Sequence, residues 1–110
     1  MAKINWIEIN SLDDITKLRD NYIVIFKHSP RCVVSKIVFT RFEFAFHENL
    51  NIQKYIYIDV IKTKELSKNI SNKYSVYHES PQLILLKDDE VLHHSSHSDI
   101  KFSNLNNYII

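Results

Sequence analysis

Tyr22-Ile23-Val24-Ile25-Phe26-Lys27-His28-Ser29-Pro30-Arg31-Cys32-Val33-Val34-Ser35 changes period partway along, and that change decides the fold. Residues 22–27 are aromatic and β-branched without strict alternation, the pattern of a central strand covered on both faces. Ser29-Pro30 interrupts the run. From Cys32 onward Val34, Ile37, Val38, Phe42, Ala45 and Phe46 recur at helical spacing, which predicts a long helix burying those side chains as one stripe. The segment therefore reads as strand, break, helix, with Cys32 at the junction.

Working outward, the same alternation repeats. Residues 4–9 read as a short strand, and Ser11-Leu12-Asp13-Asp14 as an N-cap with an acidic third helical position, opening a helix to about Arg19. Residues 54–60 form a second strand of the buried type. Residues 62–74 form a more polar helix with Leu66, Ile70 and Tyr74 on its inner face. Gln82–Lys87 and Glu90–His94 pair as a hairpin across Asp88-Asp89. Ser98 is expected to cap a last helix whose apolar positions are Ile100, Leu105, Tyr108 and Ile109. Strands alternating with helices and closing on a hairpin predict an α/β fold, three layers α/β/α around a central mixed sheet.

The 110 residues suit one domain, residues 1–110, with an ordinary hydrophobic core. Fourteen basic against thirteen acidic residues leave no electrostatic footprint for nucleic acid or an anionic membrane. The apolar runs are far too short for a membrane span, and the opening residues lack the apolar stretch of a secretory signal. A cytoplasmic, reducing location is the expectation. The single cysteine excludes an internal disulfide, a multi-thiolate zinc site and a two-cysteine redox cycle within the chain. With no glycine in the sequence, left-handed turn positions are expected to fall to Asn or Asp.

Cys32 is the residue on which a reaction could depend. The unpaired N–H groups and positive dipole end of the following helix favour an ionised sulfur over a thiol. Lys27, His28 and Arg31 lie in the same segment, and no acidic residue falls between Asp20 and Glu43. The bland alternative is an inert cysteine packed in the core. Ser35 completes a C-x-x-S pattern: its hydroxyl cannot form a disulfide but could donate a hydrogen bond to the sulfur one turn earlier, or it is a surface serine. Pro81, just before the hairpin, reads on base rates as a trans proline starting a strand. Imidazoles at His93, His94 and His97 alternate faces and make a poor metal site. Phe39, Phe42, Phe44 and Phe46 read as packing residues.

Residues 27–35, with His78-Glu79-Ser80-Pro81-Gln82 and His94-Ser95-Ser96-His97-Ser98-Asp99-Ile100, resemble the monothiol bacilliredoxins, the YtxJ-like bacillithiol-system proteins. The early Asn5-Trp6-Ile7 and Ser11-Leu12 fit too, so the likeness covers nearly the whole chain. The His-Glu-Ser-Pro-Gln block is its most specific part. Pro30 and Val33 depart from the family pattern, which has a small residue before the cysteine and proline directly after it.

The resemblance implies a thioredoxin fold with Pro81 cis and facing Cys32, the backbone of Ser80 being offered to substrate. It implies thiol-disulfide exchange with Cys32 as nucleophile, Ser35 as its hydrogen-bond partner, and no cofactor beyond bacillithiol as co-substrate. Lys27 and Arg31 are the cations expected to meet the two carboxylates of that thiol, Arg31 through paired hydrogen bonds; the alternative is that both are solvated surface charges. Its partners would be S-thiolated client proteins. The rival readings are a non-catalytic interaction protein on the same scaffold and a thiol redox sensor.

Overall fold

Strand β2 (Tyr22–His28) is buried at all its positions and lies at the centre of the sheet in the computed structural model, which describes residues 3–18 and 21–109. Its parallel neighbour is β3 (Lys54–Asp59), which also pairs in parallel with the short edge strand β1 (Trp6–Glu8). On the other side β4 (Gln82–Lys87) runs antiparallel to β2, and β5 (Glu90–Ser96) runs antiparallel to β4. The strand order β1-β3-β2-β4-β5 makes a mixed sheet, as the sequence predicts.

Because side chains alternate along a strand, β2 feeds two cores. Ile23 and Ile25, with Ile56, Ile58, Ile84 and Leu86, face α1 (Leu12–Thr16) and α3 (Lys64–Tyr74), burying Ile15, Leu66, Ile70 and Tyr74. Val24 and Phe26, with Leu83 and Leu85, face α2 (Val33–Ala45), burying Val38 and Phe42 together with Phe102 and Leu105. The layers are therefore α/β/α. Among the described residues no helix is long and apolar enough to cross a membrane.

Several expectations need correction. Only Val38 and Phe42 of the predicted α2 stripe are buried; Val34, Ile37 and Ala45 are exposed and Phe46 is half-buried. The helix is rolled so that Ser35, Val38 and Phe42 face inward, because the hydroxyl of Ser35 is satisfied by hydrogen bonds and can occupy a core position. Phe44 is 79% exposed, on the opposite side from Phe42, so it is not a packing residue. The Asp14 carboxylate accepts the N–H groups of Asn10 and Ser11, capping α1 as expected. The helix itself stops at Thr16, and the expected end at Arg19 lies outside the described residues.

Asp88 and Asp89 take the two left-handed hairpin positions, but Ser75 and His97 also have positive φ, so Asn and Asp do not hold every such site. In place of a last α-helix there are two 3-10 turns, His97–Asp99 and Phe102–Asn107. The extended backbone of Lys101 separates them. Their buried anchors are Ile100, Phe102 and Leu105; Ile109 is half-buried against the same core and Tyr108 is 37% exposed.

Candidate functional site

The site grows from the C-terminal end of β2. After His28 the chain turns, with the Cys32 N–H donating to Ser29 O at 3.0 Å. Cys32 then stands at the N-cap of α2 with extended backbone (φ −98°, ψ 123°), and its carbonyl accepts the Lys36 N–H at 3.0 Å. It is exposed. The first turn of α2 carries no acidic residue. Around the sulfur-bearing position Val33, Val34 and Ile37 present apolar surface to solvent. Arg31 is exposed on the turn immediately before Cys32.

The turn is held from beneath. The Ser35 Oγ accepts the Ser29 N–H at 3.0 Å and meets His28 Nδ1 at 2.8 Å. Ser35 is wholly buried, so it is neither a surface serine nor a group free to turn toward Cys32. With the ring accepting at Nδ1, the single hydroxyl proton of Ser35 goes to His28. The His28 ring is stacked on Phe39 at 4.6 Å, and burial lowers its pKa, an effect partly opposed by Asp59 and Glu43 and reinforced by Lys36. The imidazole is accordingly neutral near pH 7. Sequence reasoning counted His28 only as a neighbouring base; its distance of seven residues from Ser35 gives no helical or strand signal for the pairing.

The second half of the site comes from β4. Register places Lys27 opposite Gln82, and Gln82 opposite Ser96, so Pro81 lies one residue further toward the sheet end that carries the 29–32 turn. The Ser80–Pro81 peptide is cis, and Pro81 O accepts the His97 N–H at 3.1 Å. Pro81 is buried and Ser80 half-buried. Ser80 Oγ and Ser95 Oγ are buried without a hydrogen-bond partner at this same end of the sheet; Gln82 Oε1 is unpartnered too but, opposite Lys27, lies on the α3 face, where Gln82 Nε2 donates to Tyr77 O at 2.8 Å. Such atoms are uncommon in folded proteins, and they are polar groups that an incoming strand or ligand can satisfy. The sequence carries Gln82 and Ser95 only as members of the blocks at 78–82 and 94–100, with no signal that their oxygens lack partners.

Lys27 requires a correction. From the sequence it reads as a cation beside the cleft or a solvated surface charge, whereas it is wholly buried on the opposite face of the sheet from α2. Alternation decides this: Lys27 follows Ile23 and Ile25 toward α3, and His28 follows Val24 and Phe26 toward α2. The Lys27 ammonium donates to Ser67 O at 2.9 Å, Ser71 Oγ at 2.7 Å and His78 Nδ1 at 3.1 Å. Burial lowers its pKa to about 8. His78 is depressed as well, by burial first and then by Lys27, with Glu79 opposing. Of the three C-terminal histidines, His93 stacks on Tyr108 at 4.8 Å, and among the described residues no three metal-ligating side chains converge.

An exposed sulfur at a helix start, with no other cysteine in the chain, can exchange disulfides with an external thiol but cannot close a disulfide of its own. Comparison with known proteins points the same way. The sequence model described as monothiol bacilliredoxin BrxC matches residues 5–105. A proposed oxidoreductase with a thioredoxin fold superposes with a TM-score of 0.79 at 28% identity, covering 93% of this chain and 91% of that one. Thioredoxin from Malassezia sympodialis gives 0.70 at 15% identity (96% and 88% covered), and thioredoxin f from spinach chloroplast gives 0.68 at 18% (97% and 93%). The last two establish the thioredoxin fold alone; the family match and the first structure support a thiol redox function.

Proposed function

The chain belongs to the monothiol bacilliredoxin family, and we propose from that premise that Cys32 removes bacillithiol, or a similar low-molecular-weight thiol, from mixed disulfides with client proteins. The observation that carries this reading is the exposure of Cys32 at the head of α2 in a chain with no second cysteine. The Cys32 thiolate attacks the small-thiol sulfur of the client disulfide. A Cys32–small-thiol disulfide forms, and the client leaves as a thiolate that takes up a proton. A second small thiol, as thiolate, then attacks the adduct, releasing the symmetrical small-molecule disulfide and regenerating Cys32. Each turn consumes one free small thiol and converts the client mixed disulfide into client thiol and symmetrical small-molecule disulfide, so no second protein cysteine is needed.

Other residues fit supporting roles. The backbone of Ser80 next to Pro81 would orient the incoming disulfide, and Arg31 would meet a carboxylate of the small thiol. Val33, Val34 and Ile37 would give clients an apolar contact around the sulfur. Ser35 serves by fixing the 29–32 turn through Ser29 and His28. The setting proposed is cytoplasmic, with S-thiolated proteins as partners.

The test is turnover. Substoichiometric protein, given excess bacillithiol, should release bacillithiol from a modified client over many cycles, and Cys32→Ser should abolish release. Release that stops at one equivalent favours a sensor. No release at all favours the interaction protein.

A further inference from the structure

On the face of the sheet away from α2, a cavity of about 770 Å³ opens between α3 and residues 75–78. Lys64, Lys68, Ser71, Tyr77 and His78 line it, and no acidic side chain does. Directly behind this wall lies the Lys27 ammonium, whose hydrogen-bond partners Ser67, Ser71 and His78 are all lining residues. Among the described residues no carboxylate pairs with Lys27, whereas Lys73 pairs with Asp89 at 3.2 Å. A buried cation held by neutral acceptors keeps its field, and low-dielectric surroundings project that field toward the open side. Lys64 and Lys68 add two exposed ammonium groups one helical turn apart, roughly 6 Å along the axis. Three cations spread around one cavity suit separated negative charges better than one compact anion.

We propose that this cavity binds a small organic dianion of the dicarboxylate class. Lys64 and Lys68 take the carboxylates at the rim, Lys27 attracts them from behind, and the exposed ring of Tyr77 covers the ligand's carbon skeleton. Val60 also lines the cavity, and its N–H donates to His28 O at 3.0 Å, so the site borders the sheet end that carries Cys32. Two sources share the chemistry: a free dicarboxylate, or the carboxylate end of a small thiol approaching Cys32. The second source depends on the proposed function; the first does not.

The experiment uses the full chain with Cys32→Ser, so that no covalent adduct forms, and follows backbone amide shifts during titration with malate, phosphate and oxidised bacillithiol. Malate should bind with Kd near 1 mM or below, on the order of metabolite affinities, and should move amides of residues 64–78. The exposed-site variants Lys64→Gln and Lys68→Gln should each weaken it by about two- to fivefold. Displacement of malate by oxidised bacillithiol identifies the small thiol as the occupant; binding of malate without displacement identifies a free dicarboxylate. Unmoved amides, binding indifferent to both lysine variants, or phosphate binding as tightly as malate each overturn the site. Turnover is measured separately on the wild-type chain, so loss of malate binding with turnover intact removes this site alone. Malate binding without turnover removes the catalytic reading alone.

Discussion

Replacing Lys27 with methionine keeps the apolar stem and removes the charge, and it should abolish a distinctive rise of stability with pH. In the folded protein burial lowers the Lys27 pKa from 10.5 to about 8. Between those values the unfolded chain binds more protons at this residue than the folded one, so unfolding becomes less favourable as pH increases. Integrating the difference from about pH 7 to about pH 9.5 gives a gain of about 2 kcal/mol. With a urea slope of roughly 1–3 kcal/mol per molar, the midpoint should rise by about 1 M. Above about pH 10 the trend should reverse. There the unfolded chain ionises Tyr55 and Tyr74, whose folded-state pKa values are raised, Tyr55 by burial and Tyr74 by burial and by its bond to Asp89. The assay is urea denaturation followed by far-UV circular dichroism across this range, in wild type and Lys27→Met. A wild-type midpoint that stays flat or falls between pH 7 and 9.5, or a methionine variant with the same rise, would refute the assignment of a buried, uncompensated ammonium.

Two further outcomes follow from packing and backbone geometry. Ser35→Ala strands the Ser29 N–H and the His28 ring, and should cost about 2–3 kcal/mol; Ser35→Thr, which keeps the hydroxyl, should recover part of that in the same denaturation experiment. Ser75 closes α3 with φ 55°, a conformation glycine adopts without penalty, so Ser75→Gly should raise stability by about 0.5–1 kcal/mol, read as an upward shift in Tm.

The fold was largely legible because its signals are local. The apolar run at 22–27, the Asp88-Asp89 turn and the Leu66–Ile70–Tyr74 spacing each specify an element from neighbouring residues. The placement of Cys32 at the head of α2 was legible for the same reason, since a strand end, a break and a helix start are adjacent in the sequence. The errors share a different cause. Lys27 and His28 lie on opposite faces, but a strand covered on both sides offers no polar alternation from which to assign them. The apolar spacing of α2 points to the wrong face because Ser35, a polar residue, holds a core position that only its hydrogen bonds to His28 and Ser29 make tolerable. The unpartnered oxygens of Ser80, Gln82 and Ser95 depend on how β4 and β5 meet the sheet end, which no local pattern encodes.

Intact-mass spectrometry after incubation with oxidised bacillithiol reads the accessibility and reactivity of the Cys32 sulfur in one step. The account predicts a single adduct, mapped to Cys32, that disappears on adding excess reduced bacillithiol. A chain that stays unmodified, or an adduct that excess thiol does not remove, would contradict it.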